Sequence, residues 1–377
     1  MTEAKNGGAA AARRVLVSKF NMIGDVLIST ALLENLKLAW PDCRITYATY
    51  DFSAPALAGC PHVSRVITCS KDRRQIIPYL ARTVGFFLWF VFHRHDVYIC
   101  LRDNNRGRFL GLLTGARVRV SIHPKRRWVN RWAYTHREPH EALHAVEKDL
   151  HALKALGLPA PVRRFRMHFT PRQLEEVRAW LPVRPFVQLH PCARWPYKEI
   201  PPAEAARLGE LIHGWGYELV LTGPGHGREA QVIRDVAERL GCPATVLAGR
   251  LDLPRLAALS SLAALYVGCD TAAMHVAAGA GTPVVAWFGP SLPAEWGPWD
   301  ADVPRCPYRN GAGLQRMGRH TIVQLQGDCI PCDRRGCGDL GLESRCLQEM
   351  AAERIFAEVR QRLPRLERAL PAAAAGG

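Results

Sequence analysis

Short apolar runs alternate with longer segments in which apolar positions recur every three or four residues. Runs of four to six residues rich in β-branched side chains predict strands, and the longer periodic segments predict helices. In the first half the predicted strands are 14–18, 44–48, 65–68, 97–101 and 117–122, followed by a helix at 141–156. In the second half the predicted strands are 186–189, 218–222, 245–247, 264–267 and 284–287. The helices predicted between them are 202–213, 227–240, 253–260 and 271–280.

This order of elements predicts parallel sheets with crossover helices, an α/β architecture. Because 377 residues exceed one ordinary core, we expect two doubly wound, Rossmann-like domains facing an interdomain cleft, at 1–180 and 181–350. A C-terminal helix, broken at Pro364, and a disordered tail would occupy 351–377. Ligands of such domains bind at the carboxyl ends of the strands.

Nine consecutive apolar or small residues, Val84–Phe92 (VGFFLWFVF), form a distinct apolar segment. The segment is too short to cross a bilayer, which needs about 20 residues. Two interpretations remain open, a buried helix and a helix that lies on a membrane surface.

The compartment is indicated by the amino terminus and by the cysteines. The first 20 residues contain no apolar segment long enough for a signal peptide. Most of the 12 cysteines are scattered singly through apolar segments of a large chain, which favours reduced thiols over a disulfide scaffold. We therefore expect a cytoplasmic protein.

The net charge of +16 is concentrated in the first half. Residues 1–180 hold 29 Lys and Arg against 14 Asp and Glu, whereas the remainder holds 21 against 20. Within the segment from Arg102 to Arg137 there are ten basic residues and one acid, Asp103. Such a field attracts nucleic acid, an anionic membrane or a phosphorylated substrate. The alternative is a solvated basic face that aids solubility.

The first candidate motif, SKFNMIGDVLIST, contains a Gly24–Asp25 turn between a predicted strand and a helix. Asp25 can serve as a helix N-cap. At the carboxyl end of a strand, its carboxylate can also take a proton from an incoming hydroxyl group.

Two further motifs follow strands of the second half. In HPCARWPYKEIPP, Arg194 and Lys198 precede a helix, where cations can hold a departing diphosphate; an ordinary surface loop is the alternative. In TGPGHGREA, three glycines precede Glu229. Because Arg228 takes the place of the last glycine, this motif is a weak dinucleotide signature.

The fourth motif, GCDTAAMHVAAGAGTPVVAWFGP, joins a strand to a helix of small residues. Asp270 and Thr271 precede this helix, whose first N–H groups and positive dipole end favour an anion. Ala272 and its small neighbours leave room for a phosphate, and His275 lies one turn into the helix, where it can donate to the anion or to its own neighbours. The segment predicts a diphosphate site.

Together these segments resemble glycosyltransferase family nine, the ADP-heptose:lipopolysaccharide heptosyltransferases, over roughly residues 13–350. The resemblance implies a GT-B fold with an acceptor domain followed by a nucleotide-sugar domain. It also implies an inverting, metal-independent transfer of heptose from ADP-heptose to the lipopolysaccharide inner core at the cytoplasmic face of the inner membrane.

The resemblance implies a role for each matching residue. The base of the family falls on Asp25, preceded by Gly24, and its phosphate-binding lysine falls on Lys198. The D-T-x-x-x-H segment falls on Asp270, Thr271 and His275, and the ribose-binding acid falls on Glu229. Ala272 stands where family members commonly have glycine, which leaves less room at the start of the helix.

Four cysteines near the C-terminus, Cys329, Cys332, Cys337 and Cys346, form a C-x₂-C pair followed by two more thiols. They can hold structural zinc or an iron–sulfur cluster, although the spacing is not that of a standard zinc ribbon. Reduced or adventitiously paired thiols are the alternative, and the implied chemistry requires no metal.

Two other functions remain open at this point. A GT-B nucleotide-sugar epimerase would use the same diphosphate site without needing a strongly basic first half. A nucleic-acid-binding protein would explain the charge, but the sequence has no recognition module or regularly interleaved aromatic residues. We therefore expect no nucleic-acid partner. The expected partners are a nucleotide-sugar donor, an anionic lipid-linked acceptor and the inner-membrane surface.

Overall fold

The computed structural model of the protein describes residues 12–71, 76–122, 124, 128–139, 141 and 143–367. The chain divides into two compact units, Met1–His168 and Phe169–Gly377. The division thus falls before residue 180, and the C-terminal helix is part of the second unit rather than a separate region.

The first unit contains a six-stranded parallel sheet of order β3-β2-β1-β4-β5-β6. Its strands are β1 Arg14–Ser18, β2 Arg44–Tyr50, β3 Arg65–Cys69, β4 Val97–Cys100, β5 Val118–Ile122 and β6 His136–Glu138. Its helices are α1 Ile23–Ile28, α2 Thr30–Ala39, α3 Ile76–Phe92, α4 Asn105–Leu113, α5 Asn130–Ala133 and α6 Ala145–Ala155. The short polar edge strand β6 was not predicted, because it carries no apolar run.

The second unit contains a seven-stranded sheet of order β12-β13-β11-β10-β7-β8-β9. Its strands are β7 Phe186–His190, β8 Glu218–Leu221, β9 Thr245–Val246, β10 Leu265–Cys269, β11 Val284–Phe288, β12 Gln315–Met317 and β13 His320–Gln324. Its helices are α7 Pro171–Arg178, α8 Pro202–Gly214, α9 Gly227–Arg239, α10 Leu253–Leu262, α11 Ala272–Gly279, α12 Pro293–Trp296, α13 Arg345–Gln348 and α14 Ala352–Arg362. All pairings are parallel except that of β12 with β13.

Both sheets have the doubly wound order, in which the strands run outward in both directions from a central pair. The direction reverses between β1 and β4 in the first unit and between β7 and β10 in the second. In open α/β sheets the ligand binds beyond the carboxyl ends of the strands at this switch point. Ligand-binding residues are therefore expected in the loops that follow β1, β7 and β10.

The central strands are buried along their whole length in the second unit, where every residue of β7, β10 and β11 is buried. Parallel strands covered by helices on both faces read as continuous apolar runs, as the sequence does here. The bulky side chain of Trp287 on β11 is fully buried and packs into this core. These rigid strands fix where the loops at their carboxyl ends begin.

The apolar segment Val84–Phe92 belongs to α3, a longer helix than the segment itself. Phe86 and Phe90 are buried in the core, whereas Val84 and Phe92 are exposed. The helix is thus neither wholly buried nor a spanning element. Among the described residues, the helices lack the length and apolarity needed to cross a bilayer.

Two predictions about the C-terminal region differ from the structure. The C-terminal helix predicted within 351–377 is α14, which ends at Arg362 and so stops before Pro364 instead of being broken there. The strands β12 and β13 were not predicted, because Gly313 and Gly318 interrupt their sequence and suggest a loop. The expected disordered tail and three residues of the basic segment, Lys125 to Arg127, lie outside the described residues.

Candidate functional site

The switch point of the second unit brings together two of the predicted motifs. β7 pairs with β10, so the loop after His190 and the loop after Cys269 leave the same edge of the sheet side by side. The first loop carries Lys198 and the second carries Asp270. Two segments separated by about seventy residues therefore contribute to one site.

Lys198 and Asp270 form an ion pair, with Nζ donating to Oδ2 at 2.5 Å. The Asp270 side chain is 6% exposed and that of Lys198 is 22% exposed. Burial acts to lower the pKa of Lys198, but the Asp270 carboxylate outweighs it, and the net effect is a raised pKa. Lys198 is thus a permanent cation on a partly exposed side chain, and Trp287 Nε1 fixes its backbone by donating to the Lys198 carbonyl at 3.1 Å.

The helix α11 begins directly after Asp270, as the sequence predicts. Thr271 is its N-cap residue, in an extended conformation, and its hydroxyl group donates to the Cys269 carbonyl at 3.4 Å. Within the described chain no side chain caps this helix terminus. Ala272 is half-buried at the start, and His275 is buried one turn further in. The uncapped N–H groups and the helix dipole favour an anion beside Lys198.

Arg194 is exposed, and its guanidinium carbon lies 5.6 Å from the centre of the Trp195 ring. Arg335, which the sequence analysis did not single out, lies 5.5 Å from the same ring. A planar aromatic side chain with two guanidinium groups near it holds positive charge at the edge of this loop. Arg335 was missed because it lies far along the chain, in an irregular segment.

The glycine-rich loop after β8 is fixed by Arg228, the residue that breaks the dinucleotide pattern. Its guanidinium pairs with Glu199 at 2.6 Å, and Glu199 also accepts from the Ala193 backbone at 2.6 Å. Glu229, the predicted ribose-binding acid, is half-buried in the first turn of α9. Arg228 therefore has a structural role that joins this loop to the Lys198 loop.

Three of the four clustered cysteines, Cys329, Cys332 and Cys337, lie in the irregular segment that also contributes Asp333 and Arg335, and Cys346 lies on α13. Cys329 is exposed and Cys332, Cys337 and Cys346 are half-buried. Burial and the charges of the other three thiols raise the pKa of Cys346 to about 12, so Cys346 lies within electrostatic reach of each of the other three.

No metal-binding group is formed by these thiols as they stand. Among the described residues, no three His, Cys, Asp or Glu side chains converge into a group that could hold an ion. All twelve cysteines are described, and all are free thiols.

Asp333, in the same irregular segment, has a positive φ of 53°. Burial and the Glu295 carboxylate raise the Asp333 pKa against the opposing charge of Lys198.

In the first unit, Asp25 lies beyond the carboxyl end of β1. The helix α1 begins at Ile23, so the predicted Gly24–Asp25 turn is the first turn of the helix, and the N-cap residue is Met22 rather than Asp25. Gly24 is buried and Asp25 is half-buried. Asn21 Nδ2 donates to Asp25 Oδ1 at 2.6 Å, which orients the carboxylate.

Sequence reasoning missed a buried ion pair next to Asp25. Lys19 Nζ donates to Asp149 Oδ2 at 2.6 Å, and both side chains are almost completely buried. Burial raises the pKa of Asp149 to about 6, with Lys19 opposing this and the charge of Asp25 adding to it. Lys19 directly follows β1 and was visible as a strand-end residue, but nothing in the sequence of α6 marks Asp149 as its partner.

Comparison with known proteins identifies the family of this chain. The family model of glycosyltransferase family 9 (heptosyltransferase) matches residues 92–313, more than half of the chain. Lipopolysaccharide heptosyltransferase 3 of Escherichia coli is 28% identical over 289 residues, covering 74% of this chain and 84% of that protein.

Two solved structures share the fold. A glycosyl transferase family 9 protein from Veillonella parvula superposes with a TM-score of 0.75 at 19% identity, covering 93% of this chain and 97% of that one. The E. coli heptosyltransferase WaaC with ADP has a TM-score of 0.67 at 18% identity, covering 93% of this chain and all of that one. The predicted α/β fold with two Rossmann-like units is confirmed. The chain belongs to glycosyltransferase family 9, the heptosyltransferase family, and is a glycosyltransferase of the GT-B fold.

Proposed function

We propose that this protein transfers heptose from ADP-heptose to the inner core of lipopolysaccharide, with inversion at the anomeric carbon. The names of the similar proteins support the substrate class, since they include lipopolysaccharide heptosyltransferases and a structure with ADP. The observation that carries the proposal is the Lys198–Asp270 pair beside the uncapped start of α11. A fixed cation and free N–H groups at one switch point suit a diphosphate.

In the proposed donor site, Lys198 and the first N–H groups of α11 hold the diphosphate of ADP-heptose. Charge accumulates on this group as the bond from the anomeric carbon to the diphosphate oxygen breaks. Donors fixed before the reaction stabilise that charge without reorganising. Asp270 holds Lys198 in position rather than binding phosphate itself, because its carboxylate is engaged by the ammonium group. Thr271, His275 and Arg194 are proposed to contribute further donors to this site, and Glu229 is proposed to bind the ribose.

In the proposed acceptor half, Asp25 takes the proton from the acceptor hydroxyl group as its oxygen attacks the anomeric carbon. One base and one stabilised leaving group are sufficient for a single inverting displacement, in which no covalent glycosyl–enzyme intermediate forms. Asn21 orients the carboxylate. The basic first half would attract the phosphates and carboxylates of a lipid-linked acceptor at the cytoplasmic face of the inner membrane.

A structural metal at the cysteine cluster is a separate part of the proposal, outside the transfer chemistry. The electrostatic proximity of the four thiols supports it, although they do not converge on a common point. Metal analysis of untagged protein, with Cys329→Ser/Cys332→Ser as the comparison, tests it. A stoichiometric metal lost in the variant supports the site, whereas a metal-free wild-type protein excludes it.

The proposed transfer is tested by incubating the protein with ADP-heptose and a panel of truncated lipopolysaccharide cores. We expect one core to gain a heptosyl residue by mass, with release of one ADP, and an anomeric configuration opposite to that of the donor by NMR. Interconversion of free nucleotide sugars without ADP release would identify an epimerase instead. No product with any core would overturn the proposed acceptor class.

A further inference from the structure

The first unit carries an extended apolar surface, which we call the apolar face and which is formed by α3, α4 and the segment around α5. Its side chains are large and exposed, and they are Leu80, Val84, Leu88, Val91, Phe92, Phe109, Leu112, Trp128 and Trp132. These nine account for most of the large exposed apolar side chains of the described chain. Soluble monomers rarely expose apolar side chains in such a group without a binding function.

The elements of the apolar face pack on one another in sequence, α3 on α4 and α4 on α5, which makes the exposed side chains neighbours in the fold. Phe87 of α3 contacts Phe109 of α4 edge-on, with ring centres 5.8 Å apart. Between α3 and α4 runs an apolar groove of about 230 Å³, lined by Thr83, Val84, Phe87, Leu88, Val91 and Leu113. The helix α4 in turn packs against α5, where the backbone of Ala133 meets Gly111.

Charge complementarity indicates what covers the apolar face. Exposed arginines accompany it along the chain, at positions 82, 94, 102, 117 and 131. The segments 76–92 and 104–133 contain no Asp or Glu. The nearest acid in sequence, Asp103, is buried against Arg108 at 2.9 Å and does not offset the positive charge. Exposed apolar side chains with exposed arginines interspersed along the same segments, together with exposed tryptophans, suit the boundary between anionic headgroups and acyl chains.

We propose that the apolar face docks the protein onto an anionic bilayer, with α3 lying in the plane of the interface and Trp128 and Trp132 at the level of the headgroups. The inference deepens the proposed function, on which it rests for the idea that the acceptor is lipid-linked. A second copy of the chain is the other possible occupant. Like-charged arginines on both copies would oppose that contact.

Sedimentation with vesicles tests the docking without any sugar substrate. We expect the full-length protein to bind vesicles with about 30 mol% phosphatidylglycerol in phosphatidylcholine and to bind pure phosphatidylcholine far less. Leu88→Glu/Phe92→Glu should lower the partition coefficient at least about tenfold, because it places charges in the apolar layer. The matched control, Leu314→Glu/Leu342→Glu, changes two exposed leucines of the second unit and should bind as the wild type does.

Quenching by brominated lipids gives a second readout that does not depend on the charged variant folding. We expect quenching of the wild-type tryptophan fluorescence and loss of most of it in Trp128→Phe/Trp132→Phe. Equal vesicle binding by the wild type and the Leu88→Glu/Phe92→Glu variant would overturn the inference. So would light scattering that shows a wild-type dimer and a monomeric variant, together with no vesicle binding by the wild type.

Failure of the docking is distinguishable from failure of the proposed function. On a deacylated, water-soluble core acceptor, the Leu88→Glu/Phe92→Glu variant should keep the turnover of the wild type, because none of the changed residues lies in the donor or acceptor machinery. Normal transfer to this acceptor without vesicle binding would leave the proposed function standing and remove the docking face. Vesicle binding without transfer to any acceptor would support the docking face and remove the proposed function.

Discussion

The two switch points of the protein each hold a lysine–aspartate pair, but the pairs differ in exposure. In the first unit, Lys19 and Asp149 are 2.6 Å apart, with side chains only 6% and 3% exposed. In the second unit, Lys198 and Asp270 are 2.5 Å apart, and the Lys198 side chain is 22% exposed. The same chemical pair is thus almost completely buried at one sheet edge and partly exposed, on its lysine side, at the other.

We interpret this difference in exposure as a difference in role. The buried Lys19–Asp149 pair stabilises the fold, and the partly exposed Lys198–Asp270 pair belongs to the proposed donor site. In the first unit the Lys19 ammonium group is buried and paired with Asp149. The half-buried Asp25 carboxylate is the more exposed charged group at that edge, which suits a base. At the other edge the carboxylate of Asp270 is buried and the lysine is the more exposed partner, which suits the anion site that we propose. Equivalent positions in two similar sheets therefore present opposite charges.

The largest expected effect is that of Asp25→Asn. A positioned base contributes about 10²- to 10⁴-fold in rate, so kcat should fall at least about a hundredfold. The amide keeps the size of the side chain, and binding of ADP-heptose, measured by calorimetry, should be nearly unchanged. Near-normal turnover would show that Asp25 is not the base.

The buried pair is expected to govern stability rather than catalysis. Lys19→Met leaves Asp149 buried without its cation, which should cost about 3–5 kcal/mol in the free energy of unfolding at pH 7.5. The pKa of Asp149 is already raised to about 6, so the folded state accepts a proton there more readily than the unfolded chain. The penalty should therefore shrink as the pH is lowered from 7.5 to 5.

Urea unfolding of Lys19→Met at both pH values measures this penalty. The exposed Lys154 on α6, changed to Met, is the matched control and should shift stability by less than about 0.5 kcal/mol. A pH-independent penalty in Lys19→Met would indicate lost packing instead of an unpaired carboxylate.

At the open pair, Lys198→Met should reduce kcat by about 10- to 100-fold, because the N–H groups of α11 still hold part of the departing charge. Lys198→Arg keeps the charge and should recover much of that loss. A fluorogenic or coupled assay of ADP release measures both variants. Equal activity of the methionine and arginine variants would show that the charge of Lys198 plays no part in the reaction.

Most of the strands could be predicted from the sequence, because buried parallel strands are continuous apolar runs bounded by turns. β1 and β7 begin where the pattern places them. The exceptions have physical causes. β6 is polar and lies at a sheet edge, so it has no apolar run. The antiparallel pair of β12 and β13 was missed because the glycines beside these strands suggest a loop.

The site could be predicted only as far as it is local in the sequence. Asp25, Lys198 and Thr271 each follow a strand, so their position at the ligand edge follows from the fold. The pairing of Lys19 with Asp149 and the approach of Arg335 to Trp195 join distant segments, and a single sequence carries no signal for such contacts. The role of Asp270 as the partner of Lys198 needed the structure for the same reason.

His190 lies at the end of β7, at the second switch point. We expect its effect on the pH dependence of stability to be smaller than that of Asp149 and opposite in sign. Burial lowers the pKa of His190 to about 4. The unfolded chain therefore takes up a proton near pH 6.5 that the folded chain does not, and stability falls as the pH is lowered from 6.5 to 4. At pH 5 the lowered pKa of His190 therefore reduces the free energy of unfolding by about 2 kcal/mol.

The variant His190→Gln should lose this part of the acid sensitivity in urea unfolding at pH 7.5 and 5. His95 and His320, whose pKa values burial also lowers to about 4, retain theirs and keep some acid sensitivity in every variant. Identical pH dependence in the wild type and in His190→Gln would mean that His190 is protonated in the folded state.

The smallest expected effect concerns the charge difference between the two units. If the basic first unit attracts an anionic acceptor, raising the salt concentration from about 50 to 500 mM should increase KM for the acceptor several-fold, since screening shortens the reach of surface charges. The proposed donor site contains a partly buried pair, whose interactions salt screens less, so KM for ADP-heptose should change less. Initial rates with each substrate varied in turn measure both constants. An acceptor KM that does not change with salt would remove the proposed electrostatic role of the first unit in binding the acceptor.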